Sequence, residues 1–355
     1  MYQFIIVGGS QAGLAMAQQL QTLDASFLVV DAGPEVGSSW LSRWHSLTLF
    51  TPKKYNNLPG LAFECEREYP NKDDVAHYLK RYVETFNIPL QLNTKVEKLT
   101  GQQGAFTLHT NQGELSCQQV IVATGPFHTP FLPSCAEHIS DDIVQIHSRE
   151  YQSPEQLQPG KTLVVGGGDS GVQILKEVAQ TNRDCYISGI CSMASLPQQF
   201  LGKTLWWWLK SFGILSLNKY SYLGKQIKKR MQPVIGTNVK ALLSKSNVTT
   251  LPRITAAQNN RLDFEGESIA DIKNIIWATG YKPDYRWLGN IEFDEAGYPV
   301  NYRGVGECAG MFFIGLPWMH TRGSATLGGV AKDAEYLSQY FQQQQLARPL
   351  NSAIA

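Results

Sequence analysis

Paired cysteines are absent from this 355-residue chain. No two cysteines are spaced as C-x-x-C, and no group of them has the spacing of a metal site. This excludes a site built on paired thiolates, and it argues against both a disulfide framework and a redox-active dithiol. We expect the cysteines to be buried, reduced thiols. They are Cys65, Cys117, Cys135, Cys185, Cys191 and Cys308.

An excess of one charge sign and long apolar runs are also missing. The formal net charge is +1, which gives no reason to predict a nucleic-acid partner. No apolar stretch approaches the roughly 20 residues that a bilayer-spanning helix needs. The first residues read as a core strand rather than a secretory signal. We therefore expect a cytoplasmic protein without integral membrane contact, and we predict no metal site.

A glycine-rich turn near the first residue is one of the two strongest signals in the sequence. It follows a predicted buried strand at residues 4–7 and precedes a predicted helix that continues from residue 14. Small residues here let the backbone approach a pyrophosphate, which lies against the unpaired N–H groups at the helix start. Ser10 stands where the strict pattern has its second glycine. The residues assigned to this dinucleotide are Gly8, Ser10, Gln11, Ala12 and Gly13.

A second turn of the same kind lies near the middle of the chain. It also stands between a predicted strand, at residues 162–165, and a predicted helix, at residues 172–179. A lone match of this kind is weak evidence, but two matches in the correct context predict two bound dinucleotides. The residues assigned to the second dinucleotide are Gly166, Gly168, Asp169, Ser170 and Gly171.

The residues that follow the next strand indicate which dinucleotide each turn binds. Asp31 ends the strand at 27–30, where a carboxylate accepts hydrogen bonds from an adenosine ribose and repels a 2′-phosphate. The first site therefore favours FAD or NAD over NADP. At the second site Ser188 and Gly189 take this place, and no basic residue occurs between Arg183 and Lys203. We expect poor discrimination between NADH and NADPH, unless a basic side chain reaches the site from elsewhere.

Chain length and two crossing segments predict an α/β fold with two dinucleotide-binding, Rossmann-like domains. A chain of 355 residues exceeds the size at which a single core stops growing. Two predicted strands end in Ala-Thr-Gly, at residues 123–125 and 278–280, on either side of the second turn. We predict an NAD(P)H-binding domain at 156–281, inserted into an FAD-binding domain at 1–155 plus 282–355. The crossing residues assigned to cofactor are Ala123, Thr124, Gly125, Thr279 and Gly280.

With four further segments, these motifs resemble class B flavoprotein monooxygenases, the group of flavin-containing monooxygenases and Baeyer–Villiger enzymes. The resemblance spans nearly the whole chain and is greatest to the small bacterial members. Besides the two turns, it rests on Gly-Ser-Ser-Trp at 37–40, His-Ser-Arg-Glu-Tyr at 147–151, Ala-Thr-Gly-Tyr at 278–281 and Gly-Leu-Pro-Trp at 315–318.

The resemblance implies an enzyme in which NADPH or NADH reduces FAD. Dioxygen then adds to the flavin as a C4a-peroxyflavin, which transfers one oxygen atom to a small apolar substrate. Sulfides and amines are the implied substrates, with ketones oxidised less efficiently. The cofactor carries this chemistry, and the protein positions it and keeps water away. The residues placed near the flavin by resemblance alone are Ser39, Trp40, Thr51, Leu327 and Gly328.

Two departures from the family pattern concern the candidate catalytic residues, His147 and Phe50. The family motif F-x-G-x-x-x-H-S-x-x-Y is half present, because Asp141 and Ile143 replace its first two fixed residues. His147 is therefore either functional or a structural linker. Phe50 stands where flavin-containing monooxygenases carry an asparagine, two residues before a Pro-Lys pair. Loss of that amide predicts a shorter-lived oxygen adduct and more wasted peroxide.

An aromatic cluster at Trp206, Trp207 and Trp208 is followed by a basic stretch at residues 225–230. An apolar substrate entrance, a dimer face and a peripheral membrane contact would each use such a surface. Core packing with a solvated basic face is the commonest origin of this pattern.

Two other classes of function fit the two-dinucleotide pattern. A flavin oxidase or reductase would pass electrons to oxygen or to a partner protein without oxygenating a substrate. A redox sensor would not turn over. We predict a monooxygenase with a small apolar substrate and O2 as partners, no nucleic acid, and a homodimer as the simplest assembly. Substrate identity is not encoded in any motif, because fold-level analogy does not fix chemistry.

Overall fold

The structure is a computed structural model in which residues 1–189, 195–229 and 233–346 are described. The strands are β1 (Tyr2–Val7), β2 (Phe27–Val30), β3 (Leu90–Gln91), β4 (Val96–Gln102), β5 (Ala105–Thr110), β6 (Gly113–Val122), β7 (Thr129–Pro130), β8 (Val144–His147), β9 (Lys161–Val165), β10 (Cys185–Ser188), β11 (Ser195–Leu196), β12 (Gln199–Phe200), β13 (Lys203–Thr204), β14 (Val234–Ile235), β15 (Val248–Leu251), β16 (Ile254–Gln258), β17 (Arg261–Phe264), β18 (Glu267–Ala270), β19 (Ile272–Trp277), β20 (Tyr281–Lys282), β21 (Asn301–Tyr302), β22 (Val305–Gly306) and β23 (Met311–Phe313). The helices are α1 (Gln11–Gln21), α2 (Ser38–Leu41), α3 (Lys72–Phe86), α4 (Asp169–Val178), α5 (Leu205–Ser211), α6 (Tyr222–Lys229), α7 (Val239–Leu243) and α8 (Ala331–Leu346).

The first sheet is built around the first glycine-rich turn. Its parallel strands run in the order β23-β6-β1-β2-β3. The antiparallel hairpin β4-β5 extends the other half of the long strand β6. Helix α1 packs against α8. The last four residues of β1 and all four of β2 are buried, as expected for strands covered on both faces by helices.

The second sheet has the order β15-β10-β9-β19-β8, and all its pairings are parallel. Helix α4 follows β9 directly and leads to β10, which gives a second β-α-β unit around the second turn. Its core contains Val164, Val172, Leu175 and Ile187, all almost completely buried. The two sheets thus repeat one architecture, and the second lies between β6 and β23 of the first in chain order.

The chain crosses between the two sheets at two adjacent places. Strands β7 and β20 pair with each other in antiparallel fashion, so the outgoing and returning segments lie side by side. Strand β8 belongs to the second sheet because it pairs with β19. The domain limits as such stay a prediction. We propose from this pairing that the first crossing lies near residue 130 rather than at the predicted residue 155, and that the return near residue 281 stands.

The structure also bears on the expectations about membrane helices, metal sites and cysteines. Among the described residues, no helix is long and apolar enough to cross a membrane, and no group of three or more ligating side chains has the geometry of a metal site. The expectation that the cysteines are buried is correct for Cys117, Cys135 and Cys185, whereas Cys308 is exposed and Cys65 is half-buried. Cys191 lies outside the described residues.

Candidate dinucleotide-binding sites

The first glycine-rich turn is held by backbone contacts too close for any side chain. Gly8 has φ +112°, and a Cβ on it would lie 2.6 Å from the Ala123 carbonyl oxygen. A Cβ on Gly13 would lie 1.8 Å from the Gly8 carbonyl oxygen. The Gly8 N–H donates to the Val30 carbonyl oxygen at 2.8 Å. Glycine at positions 8 and 13 is therefore required by the fold, and the turn brings the start of α1 close to the end of β6.

The second turn repeats this geometry residue by residue. Gly166 has φ +121°, and its Cβ would lie 2.3 Å from the Ala278 carbonyl oxygen. A Cβ on Gly171 would lie 1.9 Å from the Gly166 carbonyl oxygen. Gly168, in contrast, has no atom within 4 Å of a Cβ position, so the fold does not require glycine there. The free space above Gly168 fits the approach of a pyrophosphate.

Asp31 lies where a ribose-binding carboxylate is expected. Its two side-chain oxygens accept the Gly9 N–H at 2.6 Å and the Gly33 N–H at 2.7 Å. These bonds hold the Asp31 carboxylate beside the first turn. Each of its oxygens retains a lone pair that can accept a ribose hydroxyl. This geometry at the first site fits a dinucleotide whose adenosine ribose carries no 2′-phosphate.

Four residues assigned to the flavin meet in one hydrogen-bonded cluster. The Ser10 hydroxyl donates to Gln11 Oε1 at 2.6 Å and lies 3.2 Å from Ser39 Oγ. The Trp40 indole N–H donates to the same Gln11 oxygen at 3.1 Å. Ser10 does not cap α1 with its side chain, so the N–H groups at the helix start are available to a phosphate.

Thr51, Leu327 and Gly328 are brought together from opposite ends of the chain. A Cβ on Gly328 would lie 1.6 Å from the Tyr55 carbonyl oxygen, so the turn that follows Thr51 packs directly on this glycine. The buried Asn56 side chain organises the turn, accepting the Thr51 hydroxyl at 2.7 Å and donating to two carbonyl oxygens. Sequence reasoning missed Asn56, because a lone asparagine carries no recognisable pattern.

Phe50 packs against Trp206 of the aromatic cluster. Its ring stacks with the Trp206 ring at a centroid distance of 6.0 Å, and its carbonyl oxygen accepts the Trp206 indole N–H at 3.0 Å. Tyr55 adds a second ring contact to Trp206 at 6.4 Å. A cleft of about 390 Å³ next to Phe50 is lined in part by residues of the 46–50 segment and of α4. Trp206 is therefore packed against the candidate flavin segment, whereas 38% of Trp207 is exposed.

His147 makes main-chain contacts with both ring nitrogens. Nδ1 accepts the Arg149 N–H at 3.1 Å, which leaves Nε2 as the donor to the Gly280 carbonyl oxygen at 3.0 Å. The ring is neutral in this arrangement, and burial lowers its pKa below the ordinary histidine value. Of the two roles left open by the sequence, these contacts favour the structural linker, with no ring atom left for a substrate.

The remaining crossing residues form hydrogen bonds of their own. The Thr124 hydroxyl lies 3.2 Å from His128 Nε2, and the Gly125 carbonyl oxygen accepts the Tyr285 hydroxyl at 2.8 Å. The Thr279 hydroxyl donates to the Phe131 carbonyl oxygen. Hydrogen bonds thus occupy both crossing segments, which positions Ala123 and Ala278 against the two turns.

Two residues of the second site form hydrogen bonds with the main chain of other segments. Asp169 Oδ1 accepts the Ile235 N–H at 3.1 Å, and burial raises the pKa of this carboxyl while the Arg322 guanidinium lowers it. The buried Ser188 hydroxyl donates to the Pro252 carbonyl oxygen at 2.7 Å. Ser170 lies in the first turn of α4, and Gly189 has φ +83°. Sequence reasoning missed Arg322, which comes from a distant segment.

A model of the family described as pyridine nucleotide-disulphide oxidoreductase matches residues 5–189, just over half of the chain. The chain belongs to this family. The uncharacterized oxidoreductase CzcO-like of Geobacillus kaustophilus is 40% identical over 94% of this chain and 96% of its own length. The uncharacterized oxidoreductase CzcO of Bacillus subtilis is 39% identical over 95% and 98%. The probable indole-3-pyruvate monooxygenase YUCCA9 of Arabidopsis thaliana is 28% identical over 83% and 79%.

Solved structures share the fold of this oxidoreductase. A flavin-containing monooxygenase from Stenotrophomonas maltophilia has a TM-score of 0.79 at 22% identity, covering 97% of this chain and 99% of its own. The bacillithiol disulfide reductase Bdr (YpdA) from Staphylococcus aureus has a TM-score of 0.72 at 16% identity, with the same coverage. At these identities the likeness concerns the fold alone.

Four predictions are confirmed by these comparisons. They are the α/β fold with two dinucleotide-binding domains, the resemblance to class B flavoprotein monooxygenases, the enzymatic nature of the chain, and the use of FAD and NAD(P)H. The family description refers to disulphides, yet this oxidoreductase has no C-x-x-C pair. Burial raises the pKa of Cys117 and of Cys185 to about 11, so neither is a reactive thiolate.

A pair of alanine variants separates folding from cofactor binding at the second turn. Gly171→Ala forces a methyl group against the Gly166 carbonyl oxygen, and we expect a loss of about 2–4 kcal/mol of stability. Gly168→Ala meets no protein atom, so stability should change by less than about 0.5 kcal/mol. The same methyl group should nevertheless weaken NAD(P)H binding at least about tenfold, or about 1.4 kcal/mol. Thermal melting and coenzyme titration measure the two effects, and equal melting temperatures for the two variants would contradict the assignment.

Stability should depend on the protonation of His147. Its pKa is lowered in the folded chain, so the unfolded chain binds a proton that the folded chain does not. Stability is then complete above the unfolded pKa of about 6.5 and falls as the pH drops below it. His147→Gln keeps a donor for Gly280 but does not titrate, so its melting temperature should fall less between neutral and mildly acidic pH. The exposed His77→Gln is the control, and an unchanged slope in His147→Gln would refute the linkage.

Proposed function

We propose that this oxidoreductase is an FAD-dependent monooxygenase that uses NADPH or NADH and O2 to oxygenate small lipophilic sulfides or amines, and ketones less efficiently. The observation that carries the proposal is the duplicated glycine turn in a chain without a C-x-x-C pair. Two candidate dinucleotide sites occur in one molecule, and no C-x-x-C pair is available to take electrons from a flavin. A cytoplasmic location and a homodimer stay predictions.

The first site supplies groups that match FAD. The free N–H groups at the start of α1 would bind the pyrophosphate, and Asp31 would accept the ribose hydroxyls. The Ser10, Gln11, Ser39 and Trp40 cluster would contact the adjoining part of the cofactor. Bound FAD accepts hydride from the coenzyme and activates dioxygen.

The protein's contribution next to the flavin segment is an apolar wall. Phe50, Tyr55 and Trp206 enclose one side of the turn that carries Thr51, and Trp206 is only 8% exposed. Such a wall excludes water and accepts a lipophilic substrate. The YUCCA9 relative is a probable indole-3-pyruvate monooxygenase, and an apolar wall of this kind would suit the indole ring of such a substrate.

A flavin oxidase remains the second candidate because of Phe50. The asparagine expected at this position is absent, and the nearby Asn56 amide is satisfied within its own turn. The Asn56 amide is therefore not available to replace the missing one. An enzyme of this kind would release more of its oxygen as hydrogen peroxide.

Turnover in isotopically labelled dioxygen distinguishes the two candidates. With NADPH and a panel of aryl alkyl sulfides, tertiary amines and cyclic ketones, and with catalase present to remove free peroxide, we expect label in the sulfoxide or N-oxide, because oxygenation by the enzyme transfers one atom of O2 to the sulfur or nitrogen of the substrate. Hydrogen peroxide is measured in parallel without catalase and should account for part of the oxygen consumed. Peroxide equal to all the oxygen consumed, with no labelled product from any substrate, would favour the oxidase. The wild-type protein stripped of FAD serves as the cofactor-free control.

The coenzyme preference is predicted to be weak. Ser188 is engaged with Pro252, and residues 190–194 lie outside the described residues. We expect kcat/KM for NADH and NADPH to agree within about tenfold, or about 1.4 kcal/mol. Arg253 follows Pro252 directly and is exposed, so it is the residue to test for a charge supplied from elsewhere.

Arg253→Ala should change the ratio of the two kcat/KM values by less than about threefold if Arg253 does not contact the 2′-phosphate. Arg261→Ala, which changes another exposed arginine, is the control. A loss confined to NADPH in Arg253→Ala would show that this arginine selects the coenzyme and that the prediction of weak preference is wrong.

A further inference from the structure

Charge is strongly segregated along the chain. Residues 185–262 contain 11 lysines and arginines and no aspartate or glutamate, whereas the rest of the chain has 20 basic and 30 acidic residues. The formal net charge of +1 conceals this separation. Part of the inserted segment is therefore a strongly basic surface on an otherwise acidic protein.

Exposed apolar side chains are concentrated in the same part of the chain, in a segment that we call the aromatic lobe (residues 196–229). Of the 14 large hydrophobic side chains that are strongly exposed among the described residues, nine lie between residues 196 and 223. The most exposed are Leu201 at 74%, Phe212 at 71% and Tyr222 at 77%. Soluble surfaces rarely cluster side chains of this kind without a binding partner.

Helix α6 has the composition of a helix that lies in a membrane interface. Only Gly224 is buried within it, where a Cβ would lie 1.9 Å from the Asn218 carbonyl oxygen. Leu223 is 58% exposed, and Lys225, Lys228 and Lys229 are all exposed. A strongly amphipathic helix with lysines on its polar side and low overall hydrophobicity is typical of interfacial binding.

Aromatic contacts join α5 to this surface. The Trp208 ring contacts the Trp207 ring at 4.7 Å and stacks on the Phe212 ring at 6.0 Å. The Lys203 ammonium lies 5.7 Å from the centre of the Trp207 ring. Tryptophan beside lysine suits the boundary between headgroups and hydrocarbon, where one end of each side chain remains hydrated.

We propose that the aromatic lobe docks on the surface of a bilayer that contains anionic phospholipids. The lysines match the negative headgroups, and the exposed Leu201, Phe212 and Leu223 gain hydrocarbon contacts that water does not offer. A second copy of this chain fits less well, because a two-fold interface would place two strongly basic surfaces together. Nucleic acid would match the lysines but not the exposed aliphatic side chains.

The docked surface lies close to the candidate flavin segment. Helix α5 carries both the exposed Trp207 and the buried Trp206 that packs on Phe50. A lipophilic substrate dissolved in the bilayer would therefore enter beside this helix, a consequence that rests on the proposed function. Membrane binding itself does not depend on that function and is measured without turnover.

Co-sedimentation of the full-length, FAD-loaded protein with lipid vesicles tests the proposal. We expect binding to vesicles of phosphatidylcholine and phosphatidylglycerol at low salt, a large decrease at high salt, and little binding to phosphatidylcholine alone. Lys225→Gln/Lys228→Gln/Lys229→Gln should weaken binding about a hundredfold. The matched control is Lys80→Gln/Lys95→Gln/Lys98→Gln, which removes the same charge from exposed sites outside the lobe.

The apolar contribution has its own pair of variants. Phe212→Ser/Leu223→Ser should reduce vesicle binding at least about tenfold, whereas Leu132→Ser/Phe293→Ser, also exposed, should leave it unchanged. Circular dichroism and flavin content confirm that each variant folds. Absence of vesicle binding by the wild type would overturn the proposal, and so would equal effects of the lobe and control variants. A dimer that the lobe variants dissociate, or binding to DNA but not to vesicles, would equally overturn it in favour of those partners.

Discussion

Backbone-to-backbone contact at the two glycine turns is the constraint on which the rest of the structure depends. At each turn, the first glycine lies against an alanine carbonyl and the last glycine lies against the carbonyl of the first. Gly8 with Ala123 and Gly166 with Ala278 are thus equivalent pairs. Because glycine has no side chain, the backbone can approach closely here. The strand, the turn, the helix and the crossing segment then leave the helix N-terminus open to a phosphate. Both cofactor sites follow from this one contact.

The crossing segments connect the two candidate sites through the chain and through hydrogen bonds. The strands that end in Ala-Thr-Gly supply the carbonyl that each turn requires, and they also carry the chain between the two sheets. His147 bonds to the second crossing through Gly280, and His128 bonds to the first through Thr124. Burial lowers the pKa of both histidines, so both contribute as neutral hydrogen-bonding groups rather than as proton donors. Polar contacts of the linkers therefore connect the two candidate cofactor sites.

Helix α5 belongs both to the candidate flavin site and to the proposed membrane-binding surface. This helix covers the candidate flavin segment on one side with Trp206, and on the other it carries side chains that water does not favour. Apolar enclosure suits a cofactor that activates dioxygen, because it limits access of water. The same short helix would link this enclosure to a bilayer. The basic docking surface would then bring the candidate active site to the bilayer in which a lipophilic substrate dissolves.

The sequence by itself determined the fold class and the two dinucleotide sites, because glycine spacing and the strand-turn-helix context are local patterns with one physical explanation. It also excluded a paired-cysteine relay. Only the tertiary structure decided the side-chain roles. His147 proved saturated by main-chain groups, Asp169 bonds to Ile235, and Trp206 packs on Phe50 across more than 150 residues of chain. The assignment of β8 to the second sheet and the exposure of the aromatic lobe were likewise inaccessible, because strand pairing and burial depend on contacts between residues far apart in sequence.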